Sequence, residues 1–88
     1  MEGKSGEIKF EVVRHLGVLS TGTKGWRKEV NFVRWNGRDP KLDIRDWSEG
    51  RETMSKGITF SKEEFEALKS IILDVGDIAG TFGPDKGA

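Results

Sequence analysis

The chain has no cysteine and a single histidine in its 88 residues. The first absence excludes disulfides, and the two together exclude a structural zinc site of the usual nitrogen and sulfur ligands. No apolar run approaches the roughly 20 residues that span a bilayer. The opening MEGKSGEIKF lacks the apolar core of a signal peptide. Together with the missing cysteines, this predicts a cytoplasmic protein with no membrane partner. Net charge is zero, so overall basicity does not advertise a nucleic-acid partner.

At this length the chain is one domain at most. Such a domain buries only about 60–65% of its unfolded surface, so a lone core is marginal. With disulfides and zinc excluded, association with a second copy is the remaining source of stability, and a homodimer is expected. Hydrophobic and charged residues each make up 34%, which suits a globular domain rather than a disordered tail.

The charge is unevenly spread. Residues 14–45 hold eight Lys/Arg (Arg14, Lys24, Arg27, Lys28, Arg34, Arg38, Lys41 and Arg45) against Glu29, Asp39 and Asp43. Residues 61–88 are acidic, with Lys62, Lys69 and Lys86 against Glu63, Glu64, Glu66, Asp74, Asp77 and Asp85. The middle is basic and the end acidic.

From Glu7 to Leu19, apolar residues at Ile8, Phe10, Val12, Leu16 and Val18 follow the period-two pattern of a half-buried strand. Ser20 to Gly25 reads as a mobile loop. Trp26 to Trp35 is a second strand with an unclear phase: Val30 and Phe32 share one face, Val33 and Trp35 the other, so either a bulge intervenes or both faces are covered. Asn36-Gly37 is a strong hairpin signal, because both residues tolerate the positive φ of a type I′ turn. Lys41 to Trp47 alternates, with Leu42 and Ile44 opposite Lys41, Asp43, Arg45 and Trp47. A short fourth strand spans Gly57 to Phe60. Ser61 with Glu64 forms a capping box, and Phe60 with Phe65 a hydrophobic staple. Phe65, Leu68, Ile71, Ile72 and Val75 then make a helical stripe that ends near Gly76. The predicted fold is α+β, a four-stranded antiparallel meander followed by one C-terminal helix. The domain covers 7–75, and 76–88 reads as a flexible tail.

One helix covers one face of such a sheet, so the other is solvated, paired or used. Trp47 shares that other face with Arg45 and Lys41, which predicts a side chain outside the monomer core. Trp35 ends the neighbouring strand. Rings set among cations supply a stacking platform and phosphate neutralisation, as unpaired bases require. The competing reading places these tryptophans, and Trp26, in a core or dimer contact. Single cations on strands also commonly pair with acids such as Asp43, Asp46 and Glu29. The loop STGTKG lacks P-loop spacing, and His15 has no convincing partner for base catalysis. No catalytic constellation, metal site or cofactor site emerges, and no enzyme is expected.

The run LDIRDW, a loop, and KGITFSKEEFEALKSII, preceded by KFEVVRHLGVLS and GWRKEVNFVRWN, resembles the single-stranded-DNA-binding domain of the transcriptional positive-cofactor (p-fifteen) coactivators, and within it the bacterial YdbC-like branch. The resemblance spans roughly residues 7–75. It implies a homodimer with helices at the subunit interface, where Phe65, Leu68 and Ile72 would lie, and curved sheets that present channels to single strands. By position, Arg45 matches the arginine of D-I-R and Lys56 the lysine before Gly-Ile. Trp35 matches the aromatic closing the preceding strand, and Trp47 falls, shifted by one position, in the aromatic pair after D-I-R. The serine-rich regulatory arm of some members has no counterpart. Taken with the charge pattern, this predicts single-stranded DNA binding with little sequence preference, in transcription, replication or repair. Trp35 and Trp47 would stack bases, and Arg27, Lys28, Lys41, Arg45 and Lys56 would neutralise phosphates. RNA is the near alternative, and a protein-interaction module using the tryptophan face is a different one.

Overall fold

Asn36 and Gly37 both adopt left-handed backbone, with φ of 51° and 76°, and the Arg38 amide donates to the Trp35 carbonyl at 2.9 Å. This tight reversal sets two central strands side by side, as the Asn-Gly pair predicts. A computed structural model describes residues 9–75 and 79–82. Four strands, β1 (Phe10–Thr21), β2 (Arg27–Trp35), β3 (Lys41–Trp47) and β4 (Met54–Phe60), form one antiparallel sheet in the order of the chain. Helix α1 (Lys62–Asp74) follows. The α+β meander is therefore observed. Tight turns with left-handed backbone occur at Thr23–Gly25 and Glu49–Arg51, and a single turn of 3-10 helix at Ala79–Phe82. Of the expected tail, only 79–82 is described. Gly76, Ile8 and the first residues also lie outside the described range.

β2 runs against β3 in unbroken register, so its apparent loss of phase is not a bulge. Both of its faces are covered instead. The slips lie in β1, between Val12 and Arg14, His15 and Gly17, and Val18 and Ser20. These leave Val13, Leu16 and Leu19 as extra residues, each well exposed. Phe10, Val12, His15 and Val18 pair with Trp35, Val33, Asn31 and Glu29 and so share their face. The even-numbered stripe expected of β1 is thus corrected: the bulges exchange Leu16 for His15.

Bulges increase twist and bend a strand, and this sheet is strongly curled. Arg45 pairs with Glu29, six residues along β2 from Trp35. That is about 20 Å on a flat strand, yet the Arg45 guanidinium lies 4.6 Å from the Trp35 ring centre. Phe10 pairs with Trp35 at one end of β2, and its ring is also 5.1 Å from Trp47 at the other. The face without the helix folds onto itself as a trough.

The trough holds most of the buried side chains. Val33 and Trp47 are wholly buried there, with Glu29, Asn31 and Asp43. On the helix face only Leu42 reaches that class among the described residues. Phe65 meets Phe32 edge-on at 6.5 Å, and the two line a cavity of about 380 Å³ with Leu42 and Phe60. The helix begins as its sequence dictates. The Ser61 hydroxyl accepts from the Glu64 amide at 3.1 Å, and the Glu64 carboxylate accepts from the Ser61 amide at 2.9 Å. No helix residue is buried; Ile71, Ile72, Leu73 and Val75 stand exposed, as does Ile58 of β4, which lines a groove with Leu68 and Ile71.

Candidate functional site

Arg45 crosses the floor of the trough. Its Nε and Nη2 donate to the two oxygens of Asp43 at 2.8 and 2.7 Å, a bidentate pair. Asp43 sits two residues earlier on the same strand face and also accepts from the Thr59 hydroxyl at 3.0 Å. Arg45 Nη1 donates to the Ser55 carbonyl at 3.2 Å and approaches Met54 Sδ at 3.4 Å. With every nitrogen engaged and the side chain 13% exposed, Arg45 is not the open phosphate contact expected of it. It holds Trp35, whose ring rests on the guanidinium.

Trp47 is likewise corrected. Its side chain is fully buried, beneath Phe10, rather than outside the core. The sequence placed it on the right face, but the curl converts that face into an interior. Trp35 is half-buried and Trp26 partly covered. The indole N–H groups of both Trp35 and Trp47 are buried and have no acceptor among the described residues.

A second cluster forms around Glu29. Its carboxylate accepts from Arg27 Nη2 at 2.6 Å, Arg51 Nε at 2.9 Å and Asn31 Nδ2 at 3.0 Å. Asn31 Oδ1 accepts in turn from His15 Nδ1 at 2.6 Å, so His15 is a strand residue with a structural partner. Burial pulls the Glu29 pKa upward. The hydrogen bonds from Asn31 and Arg51, the Arg51 charge and the Arg27 contact outweigh it and hold the carboxyl below its ordinary range. Arg51 arrives from the β3–β4 loop, where Gly50 and Arg51 are both left-handed, with φ of 74° and 59°. Reading the sequence missed it. The available signal was Glu29 itself, an acid on the face of Val33 and Trp35 that requires a cation when buried.

Of the expected phosphate contacts, Arg27 and Lys41 share the trough face and are exposed at its rim. Lys28 does not join them. It pairs with Asp46 on the helix side of the sheet, because strand neighbours alternate faces. Lys56 is exposed on β4, beside the register slip opposite Arg45 and Trp47. The loop at Ser20–Gly25 is closed by the Gly22 amide on the Trp26 carbonyl at 2.7 Å. Gly25 lies so close to Glu49 that an added Cβ would be 2.9 Å from its carboxylate. An acid there disfavours a phosphate cradle. Phe65 and Leu68 are half-buried, and Ile72 is exposed at 52%.

Residues 23–71, from the loop after β1 to the last turn of the helix, match the family model described as Transcriptional Coactivator p15 (PC4). Over 66 residues the chain is 41% identical to an uncharacterized protein of Treponema pallidum (strain Nichols), covering 75% of this chain and 78% of that relative.

Proposed function

Because the chain belongs to the transcriptional coactivator p15 family, a family of nucleic-acid-binding domains, we propose that it binds single-stranded DNA with little sequence preference as a homodimer. It acts without catalysis, in transcription, replication or repair. One observation carries this reading: Trp35 is backed by a pinned Arg45 at 4.6 Å in a trough rimmed by Arg27, Lys41 and Arg51. A preset aromatic plane beside cations, exposed at Arg27 and Lys41 and partly covered at Arg51, accepts any base face and its phosphates. Bases unpaired from a duplex meet this requirement, while stacked duplex bases do not. The uncovered helix stripe around Ile71 and Ile72, with the exposed Ile58 beside Ile71, supports pairing of two copies, which would place two troughs in one particle.

A fluorescence titration tests the reading. Single-stranded DNA is expected to quench tryptophan emission, with duplex of equal length binding more weakly. With about three or four phosphate contacts per trough, log affinity falls against log salt with a slope of roughly −2 to −3. Equal binding of duplex, or an affinity flat in salt, rejects it. Tighter binding of an RNA strand would reassign the ligand to RNA.

A further inference from the structure

Phe10 opens β1, an edge strand, and its ring lies 6.2 Å from Trp35 and 5.1 Å from Trp47, tilted about 46–47° to each. It is 37% exposed, while Trp47 against which it rests is wholly buried. Its backbone is well anchored: the Lys9 amide donates to Asn36 Oδ1 at 3.1 Å, and the Asn36 amide to the Lys9 carbonyl at 2.8 Å. Only the side chain is free to turn, and exposed rotamers exchange without disturbing the strand. The indole N–H groups of these same two tryptophans are buried and have no acceptor among the described residues. A buried donor left unpaired costs free energy, so a group that brings an acceptor is favoured there.

We propose that the Phe10 ring occupies a nucleobase subsite, and that an unpaired base takes its place between Trp35 and Trp47. This rests on the single-strand reading above and adds to it a specific residue and a displacement step. A planar ring already fills the slot, so its shape suits a base. A base adds what phenyl lacks, keto oxygens and ring nitrogens that can accept from an indole N–H met at its edge, as from Trp35 when the base stacks on Trp47. Trp47, closed in the free protein, becomes a stacking surface when Phe10 swings outward. Phe10 thus competes with the ligand, and the apparent affinity is the intrinsic one multiplied by the fraction of open protein.

The test uses the full chain with oligo-dT, followed by ¹H–¹⁵N spectra of the indole N–H groups. In the wild-type protein the Trp35 and Trp47 indole resonances are expected to shift strongly on binding. Phe10→Ala is expected to bind about three- to tenfold more tightly and to let acrylamide quench Trp47 in the free state. Phe10→Leu, which keeps an apolar cover, falls between. If wild-type protein binds while both indole resonances stay in place, the subsite is overturned, and the same holds if folded Phe10→Leu binds no more tightly. If wild-type protein binds no single strand, the functional reading fails with it. The wild-type spectra decide the matter even where Phe10→Ala does not fold.

Discussion

Gly57 leaves the space through which Arg45 reaches Trp35. A Cβ built on Gly57 would stand 2.3 Å from Arg45 Cβ, 2.6 Å from the Ile44 carbonyl and 2.8 Å from Arg45 Nε. The two residues are direct partners across β3 and β4. Glycine in a strand interior costs stability, and close approach of a neighbour is a recurring reason to keep it. The motifs D-I-R and K-G-I, separate in sequence, are therefore one device.

Gly57→Ala should push Arg45 off its fork with Asp43. The expected cost is about 1–3 kcal/mol of folding stability, the usual range for overpacking. Single-strand affinity should fall as well, because Trp35 loses its backing. Chemical denaturation and a binding titration on the same sample check both. Wild-type stability in the variant would mean that β4 shifts freely and that the glycine has no such role.

Glu29 gives an acid dependence with a definite direction. Its folded pKa lies below the ordinary 4.5, so the carboxylate stabilises the fold above that value. The contribution is lost as pH falls from there through the lowered folded pKa. Glu29→Gln should cost roughly 1–2 kcal/mol at pH 7, a modest figure because Arg27 and Arg51 are partly solvated. It should also flatten the fall in stability as pH drops below about 5. Denaturation midpoints across that range would show parallel curves if the cluster were energetically silent.

The strand order, the Asn-Gly reversal, the capped helix and the faces of β3 were legible in the sequence, because each depends on local chemistry. Three matters were not. Bulges in β1 arise where a strand accommodates curvature, and Val13, Leu16 and Leu19 carry no local mark of it. The curl then turned an outward face into an interior, which hid Trp47 and engaged Arg45. Arg51 reached the trough through two left-handed loop residues whose tertiary target, Glu29, lies 22 positions away.

The helix stripe can be tested without nucleic acid. Ile72 is 52% exposed on the side of the sheet away from the trough. Ile72→Glu should leave the monomer fold nearly intact, since an exposed site tolerates charge, but should weaken association strongly. Sedimentation at micromolar concentration is expected to show a wild-type dimer and a variant monomer, and the variant should melt lower, at a midpoint independent of concentration, where the wild-type midpoint rises with concentration. A monomeric wild-type protein would remove the dimer from the proposal.

Comparing the two tryptophans separates platform from core. Trp47 is wholly buried, and its truncation removes contacts on all sides, so Trp47→Ala should cost about 3–5 kcal/mol of stability. In so small a domain that is enough to unfold much of the population. Trp35 is only half-buried at the end of β2, and its main contacts are Arg45 and Phe10. Trp35→Ala should therefore cost less stability while weakening single-strand binding by about 1–3 kcal/mol, the worth of one base–aromatic stack. Melting curves and titrations of both variants make the comparison. If Trp35→Ala melts as early as Trp47→Ala yet its folded fraction binds normally, the trough is a second core and not a platform. If it folds and binding drops, the ring that Arg45 holds in place is where the first base lands.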